Sequence, residues 1–373
     1  MNLANIFCPN LDCPARGQVG RGNIRVHSLQ EERCLCRVCQ TTFRINKGSL
    51  FYRLKTDART VTLVITLLAH GCPTQAIVAA FGLDERSVSK WWQRAGRHCQ
   101  AVHEHLVEGS PLDLRQVQAD EIKVKTQAGP FWLAMAVMVP TRLWLGGVIS
   151  RRRDLALIQA LVVRVRAVAL CRPLLLAVGG FRSYVTAFQQ AFRTKLPRYG
   201  QMGRAKLRAW SEVSIVQVVK QHLGEQWMIE RRIVQGSSQE IEHLIASSQG
   251  QGSINTAYIE RLNATFRQRL AGLARRTRAL VRQPGTLQAG IYVVGCLYNF
   301  CIYHGSLRVP LYLAQGGQRW LRRTPAIAAG LTDHRWTIDE LLHFRVPPPR
   351  WKPPKRIGRP PKRTQELLKQ WCV

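Results

Sequence analysis

The order of strand-like and helix-like segments between residues 114 and 274 restricts this chain to few folds. Three strand patterns, at 114–122, 131–139 and 143–149, come first, with a turn at 140–142. The later segments alternate between helix and strand: a helix after Asp154 that ends before Pro173, a strand at 174–178, a helix at 184–192, strands at 213–219 and 227–234, and a helix at 254–274. We therefore predict an α/β domain with a mixed sheet flanked by helices.

Acidic residues are unevenly placed along this pattern. Asp120 lies on the first strand and Glu260 on the last helix, but no Asp or Glu occurs between Asp154 and Glu212. Side chains alternate along a strand, so Asp120 faces the opposite side of the sheet from Glu121. The element order resembles that of ribonuclease-H-like domains, whose acids lie on the first strand, at the end of the fourth strand and on the last helix. That resemblance assigns Asp120 and Glu260 to the first and third acids.

Four short motifs make the resemblance more specific: Gln-Ala-Asp-Glu at 118–121, Asn-Thr-Ala-Tyr-Ile-Glu-Arg-Leu-Asn at 255–263, Tyr-Asn-Phe at 298–300 and His-Gly-Ser-Leu-Arg at 304–308. They resemble bacterial insertion-sequence transposases, closest in kind to those like insertion sequence one. Such proteins carry a zinc ribbon and a helix-turn-helix before an Asp-Asp-Glu catalytic domain. The resemblance covers the chain from Cys8 to about Trp336 and implies a DNA contact by Arg267.

The second acid of that family falls on Gly179 in this chain. The resemblance implies Mg²⁺, or Mn²⁺, held by Asp120 and Glu260, and two such ions stand about 3.5–4 Å apart in sites of this chemistry. Glycine offers no side-chain ligand, so we expect DNA cleavage and strand transfer to be severely reduced while folding and DNA binding survive. A DNA-binding remnant or regulator without chemistry is the alternative function, and ordinary surface acids are the alternative explanation of Asp120 and Glu260.

The charge balance favours a polyanionic partner. The chain has 55 Lys and Arg against 22 Asp and Glu, a net charge of +33, which predicts strongly salt-dependent binding. We expect double-stranded DNA, both element ends and target, bound by a homo-oligomer assembled on that DNA. Pro284, Gln288, Asn299 and His304 interrupt the apolar stretch 283–307, so we predict no membrane span. No charged-then-apolar segment follows Met1, so a bacterial cytoplasmic, nucleoid-associated protein is expected.

Paired cysteines at the N-terminus have the spacing of a metal site. Cys8 and Cys13 enclose four residues, Cys36 and Cys39 enclose two, and 22 residues separate the pairs. Four thiolates make a closed tetrahedral Zn²⁺ site that stabilises a segment with a small core. Cys34 is an alternative ligand to Cys36.

Residues 55–106 show three helix patterns, and Gly82-Leu83-Asp84 forms the turn before the third helix. Four basic side chains line the outer side of that helix: Arg86, Lys90, Arg94 and Arg97. This pattern is typical of a helix-turn-helix with its last helix in the major groove, and a structural three-helix bundle is the alternative. We expect His98, His103 and His105 to be exposed linker residues rather than metal ligands.

The predicted organisation has five segments: a zinc ribbon at 1–50, a helix-turn-helix at 55–106, a ribonuclease-H-like core at 110–310, a C-terminal extension at 311–346 and a Pro-rich basic tail at 347–373. Arg276, Arg278 and Arg282 extend the basic surface beyond Glu260, where phosphate contacts would position DNA, and Arg275 and Arg276 are predicted DNA contacts. In the tail, 355–363 resembles an AT-hook with Arg359 in the minor groove. A disordered basic tail is the alternative reading of that segment.

Overall fold

The structure is a computed structural model that describes residues 3–127, 129–199, 202–223, 226–250, 252–275, 280–312, 318–352 and 358–371. The chain forms two compact units, Met1–Thr60 with Leu342–Val373, and Val61–Leu341. The five-segment division remains a prediction. The first compact unit combines the N-terminal residues with the C-terminal tail, which the sequence pattern had separated.

The strands of the described residues are, in chain order, β1 (Ile24–Ser28), β2 (Arg33–Cys36), β3 (Thr42–Arg44), β4 (Gln116–Thr126), β5 (Gly129–Met138), β6 (Leu143–Ser150), β7 (Leu174–Gly179), β8 (Arg193–Lys195), β9 (Leu207–Ala209), β10 (Val213–Leu223), β11 (Gln226–Gln235), β12 (Val309–Tyr312) and β13 (Gln318–Leu321). The α-helices are α1 (Ala58–Ala69), α2 (Thr74–Phe81), α3 (Glu85–His103), α4 (Leu155–Val168), α5 (Arg182–Ala191), α6 (Ser238–Gln249), α7 (Ala257–Arg269), α8 (Pro284–Cys296), α9 (Pro325–Ala328), α10 (Ile338–His343) and α11 (Lys362–Trp371).

The first unit is built around the antiparallel sheet β1-β2-β3. Its core contains cysteines and apolar side chains, including Ile6, Ile24 and Phe43. Trp371 of α11 belongs to the same core, and the Gln18 side chain donates a hydrogen bond of 2.5 Å to the Trp371 carbonyl. The basic C-terminal segment therefore ends in a helix that packs on the cysteine-rich sheet. The tail prediction missed this helix, although Leu367 and Trp371 lie four residues apart, as on one helix face, and both pack on that core.

The second unit contains a mixed sheet with the strand order β11-β10-β7-β4-β5-β6. Strand β7 runs parallel to β4 and to β10, whereas the pairs β4–β5, β5–β6 and β10–β11 are antiparallel. Residues 174–178 of β7 are buried, which explains their continuous apolar run. Helices flank the sheet; α6, for example, packs Ile241, Leu244 and Ile245 against β7 and β10. The predicted α/β class with a mixed sheet is confirmed.

Element positions agree with the sequence patterns to within a few residues, with one main exception. The helix predicted at 254–274 is shorter, because α7 ends at Arg269 and Leu270 adopts an extended conformation with φ −116° and ψ 100°. A 3₁₀ turn, Ala271–Leu273, follows. The Leu270 side chain packs closely on α8, because a Cβ added at Gly290 would lie only 2.9 Å from Leu270 Cδ2. Helix α7 therefore ends at the point where Leu270 contacts α8. Apolar periodicity alone did not show this break.

Helix α3 has 19 residues, and most side chains of its second half are buried. A π-helical turn, Glu104–Glu108, extends it further. His98 and His103 were expected to be exposed, and this was wrong: their exposed fractions are 9% and 0%. His98 Nε2 lies 3.0 Å from the Leu341 carbonyl, and His103 Nε2 lies 3.3 Å from the Leu145 carbonyl. Burial lowers the pKa of His103 to about 3, so its ring is neutral at physiological pH.

Pro284–Leu307 is long and apolar enough to cross a membrane, alone among the helices of the described residues. However, 78% of its most apolar window is buried inside the structure. Helix α8 forms its first part and packs along α3, where Gly96 meets Ala289. This burial is typical of a core helix.

The close approach of α3 and α8 generates a stability prediction. A Cβ at Gly96 would lie 2.3 Å from Ala289 Cα, so Gly96→Ala should push the helices apart and lower the free energy of unfolding by about 1–3 kcal/mol. Gly285→Ala in α8 is the matched control, because a Cβ there meets no heavy atom within 4 Å and alanine favours the helix. Urea denaturation measures both. Equal stabilities of the two variants would contradict the tight packing.

Candidate functional site

A pocket of about 580 Å³ lies over β4, β7 and β10 of the sheet and beside α7. It brings together five residues predicted from the sequence: Asp120, Gly179, Glu260, Arg267 and Arg275. Its other lining residues are Gly180, Val218, Lys220, Thr256, Asn263 and Ala264. Carboxylates and cations from distant parts of the chain therefore share one cavity.

Strand register explains why position 179 shares the pocket with Asp120. Strands β4 and β7 are parallel, with Gln118 beside Ala177. Side chains two residues further along each strand point to the same face, so positions 120 and 179 face the same side of the sheet. Gly179 ends β7, where the chain opens into the pocket.

Helix α7 is held against this face by the buried amide of Gln118. Gln118 Oε1 accepts hydrogen bonds from the backbone N–H groups of Tyr258 at 3.0 Å and Ile259 at 3.1 Å. Gln118 Nε2 donates to the Asn255 carbonyl at 2.8 Å. The first N–H groups of a helix have no partner within it, so this side chain caps α7 from a neighbouring strand. One turn after Glu260, Asn263 Nδ2 donates to Asp120 Oδ2 at 2.8 Å.

Glu260 is bound by two side chains in the pocket. Thr256 Oγ1 donates to Glu260 Oε1 at 2.9 Å, and Lys220 Nζ donates to the same oxygen at 2.5 Å. Lys220 and Thr256 were not predicted from the sequence. Lys220 lies two residues after Val218, which pairs with Gly179, so strand alternation could have placed it here. That inference needs the register of β10 on β7, which the sequence patterns do not give.

Asp120 ionises less readily than an ordinary aspartate. Burial, with the nearby charges of Glu121 and Glu260, raises the pKa of Asp120 to about 6, although Arg267 opposes the shift. Asp120 therefore keeps its proton well into the range where exposed carboxyls have lost theirs.

Glu121 lies on the other face of β4, as strand alternation predicts. Arg153 Nε donates to Glu121 Oε1 at 2.7 Å, and the same guanidinium lies 4.3 Å from the ring centroid of Phe181. The Glu121 carboxylate is thus paired with Arg153. Glu121 does not line the pocket that contains Asp120.

Position 179 has room for a larger side chain. A Cβ added at Gly179 meets no heavy atom within 4 Å. Its φ lies outside the left-handed region that favours glycine. Neither backbone conformation nor packing therefore requires glycine here.

Four cysteines of the first unit can hold one metal ion. The Sγ atoms of Cys8, Cys13, Cys36 and Cys39 all lie within 4.8 Å of one another. Cys8 and Cys39 are 3.6 Å apart, and Cys13 and Cys36 are 3.8 Å apart. Tetrahedral Zn²⁺ with bonds of about 2.3 Å needs sulfur pairs about 3.8 Å apart, so the set fits zinc.

Individual cysteines differ in this cluster. Cys34 is buried in the same core but lies outside the four-sulfur group, so Cys36 rather than Cys34 completes the set. Burial opposes ionisation of Cys39, but hydrogen bonds involving Thr41 and Asn10 outweigh burial and lower its pKa to about 6. A thiolate is thus available for a cation near neutral pH.

The basic residues predicted on the third helix lie on α3. Asp84 caps its N-terminus by accepting from the Ser87 N–H, while Val88, Trp92 and Ala95 are buried. Arg86, Lys90 and Arg97 are exposed and Arg94 is half-buried. Two further predicted DNA contacts lie elsewhere: Arg359 is exposed in the first unit, and Arg276 lies outside the described residues.

Comparison with known protein families and with curated proteins found no match for this chain.

The raised pKa of Asp120 generates a pH prediction. Between the unfolded value of about 3.9 and the folded value near 6 the folded protein holds the extra proton, so stability falls as pH rises through this window. Asp120→Asn removes that cost and keeps an acceptor for Asn263. It should raise the free energy of unfolding by about 1–3 kcal/mol near pH 8 and by almost nothing near pH 3.5.

Urea titrations in Mg²⁺-free buffer, taken as the difference between variant and parent at each pH, measure this effect. Glu121→Gln is the control, because it breaks the pair with Arg153 and should lower stability instead. A loss of stability in Asp120→Asn near pH 8 would contradict the raised pKa of Asp120.

The cysteine geometry predicts one Zn²⁺ per chain. Cys36→Ser should abolish stoichiometric zinc and destabilise the first unit, because it removes a ligand from the four-sulfur group. Cys34→Ser should retain zinc. Elemental analysis of the purified proteins measures both, and equal zinc loss in the two variants would show that the group is wrongly chosen.

Proposed function

We propose that this chain is an insertion-sequence transposase whose DNA cleavage and strand transfer are impaired by Gly179. The observation that carries the proposal is the meeting of positions 120, 179 and 260 in one pocket, since three distant segments that resemble transposase motifs converge there. In this proposal, position 179 would carry a third carboxylate, and glycine supplies none.

The sheet supports a ribonuclease-H-like core. Strands β4, β5 and β6, then α4, β7, α5 and β10, follow the order that this resemblance implies, and α7 carries the final acid. Asp120 lies on the first of these strands, Gly179 at the end of the fourth, and Glu260 on the last helix. Strand β11 and the short pair β8–β9 are additions to that order.

The proposed substrate is double-stranded DNA. Helices α1 to α3 suit a helix-turn-helix with Arg86, Lys90 and Arg97 exposed, and the four-cysteine sheet suits a zinc ribbon. Arg267 and Arg275 place two guanidinium groups beside the acids, where a phosphate would lie. The net charge of +33 favours the same partner. Assembly as a homo-oligomer on DNA in the bacterial cytoplasm is part of the proposal.

The side chains fit a catalytic metal only in part. Asp120 and Glu260 would hold Mg²⁺ or Mn²⁺, and such ions stabilise charge on the attacking and leaving oxygens of phosphoryl transfer. Magnesium requires near-octahedral oxygen ligands, and Gly179 supplies none from its side chain. Lys220 binds the Glu260 carboxylate, so a fixed cation already neutralises one of the two acids. This arrangement weakens metal binding while it leaves the cavity attractive to phosphate.

The second candidate function is DNA binding without chemistry, as a remnant or regulator that occupies the element ends. The Lys220–Glu260 ion pair, which opposes metal binding by one of the two carboxylates, specifically favours it. Both candidates share the DNA-binding surface and differ only in cleavage.

Gly179→Asp tests the main proposal. Because the position is open, the variant should fold normally and increase Mg²⁺-dependent cleavage of duplexes carrying the element ends by roughly 10-fold or more. Gly179→Asn is the matched control, since it has the same size without the charge and should gain much less. Gly179→Asp combined with Glu260→Gln should lose the gain.

Gel assays of strand nicking, run beside a DNA-binding assay, separate the outcomes. Equal cleavage by the parent protein and Gly179→Asp would remove the claim of impairment. DNA binding without cleavage in every variant would support the regulator instead.

A further inference from the structure

The hairpin β12–β13 exposes large aromatic side chains. Tyr312 is 77% exposed and Trp320 is 48% exposed. Single exposed aromatic residues are common, but exposed aromatic side chains that lie together on one face are typical of binding sites. Neither residue lines the pocket of Asp120.

The register places both aromatic residues on one face. Pro310 pairs with Trp320, and Tyr312 pairs with Gln318, in an antiparallel ladder. Paired residues share a face and alternate residues return to it, so Tyr312 and Trp320 are diagonal neighbours, close enough for a joint aromatic surface. Leu311 pairs with Arg319 and lies on the opposite face.

The aromatic face is oriented by contacts at the base of the hairpin. The Arg308 guanidinium lies 4.2 Å from the ring centroid of Trp320, so a cation stacks on the indole. Arg323 Nε donates to the Leu307 carbonyl at 2.8 Å, and the His304 N–H donates to the Arg323 carbonyl at 3.0 Å. Arg308 therefore covers part of the Trp320 ring, and about half of the Trp320 surface remains exposed to a flat ligand.

Charge identifies the kind of ligand. Arg308, Arg319 and Arg322 are exposed around the hairpin, and no Asp or Glu occurs between Glu260 and Asp333. In the absence of DNA, a second copy of the chain would bring its own net charge of +33 to this surface, which opposes its binding here. Aromatic side chains among arginines are the usual surface for unpaired bases, because every base has a stacking face and a nearby phosphate.

We propose that the Tyr312–Trp320 face of the β12–β13 hairpin binds an unpaired nucleobase of DNA by stacking. The inference rests on the proposed function for the presence of DNA. It adds a site for a single-stranded or extruded base at a DNA end, distinct from the phosphate contacts of Arg267 and Arg275.

The test compares two fluorescent DNA probes at one salt concentration: a blunt duplex, and the same duplex with a single-stranded overhang. The full chain should bind the overhang probe more tightly by roughly 5-fold to 100-fold, the range expected from stacking of one base. Trp320→Ala and Tyr312→Ala should bring that ratio towards one. Trp320→Phe should keep most of it, and Leu311→Ala, equally exposed on the other face, should leave it unchanged.

Each outcome decides the proposal. Loss of the ratio in Trp320→Ala, with Leu311→Ala unchanged, supports it. Equal binding of both probes by the parent protein overturns the stacking site while the DNA-binding function stands. Equal effects of Trp320→Ala and Leu311→Ala, or a change only in oligomeric state by light scattering, also overturn it. If neither probe binds, this inference and the proposed function both fail.

Discussion

The contact between β4 and α7 is the interaction on which the pocket depends. The buried Gln118 amide caps the helix through the N–H groups of Tyr258 and Ile259, and Asn263 returns to Asp120 one turn later. A buried amide that lost these partners would cost free energy, so strand and helix hold a single relative position. Glu260 is carried on the same helix between these two contacts, and its distance from Asp120 follows from them.

The pocket has more positively than negatively charged side chains. Asp120 and Glu260 face Lys220, Arg267 and Arg275, and burial of Asp120 further disfavours its charged form. In the proposed transposase, this balance favours a phosphate over divalent cations. The open space at Gly179 shows that the fold has room for a larger side chain at this position.

Local patterns predicted much of this architecture. Asp84 and Asp154 cap α3 and α4, as their positions in the sequence predicted. The strand at 174–178 was predicted from its continuous apolar run. Long-range packing accounts for the errors. His98 and His103 looked exposed because polar side chains usually are, but α3 continues into the core and buries them. The helix α11 was missed because its short apolar face, Leu367 and Trp371, packs on a core formed by residues far away in sequence.

The sequence by itself determined the element order, the face of β4 that carries Asp120, the spacing of the cysteine pairs and the strongly basic charge, because these follow from periodicity and composition along the chain. Only the tertiary structure decided which cysteines meet, that Lys220 reaches Glu260, and that Tyr312 and Trp320 share a face. These contacts depend on the register between strands and on the packing of segments that are far apart in sequence. A shift of one residue in strand register would turn Lys220, Tyr312 or Trp320 to the other face of its sheet.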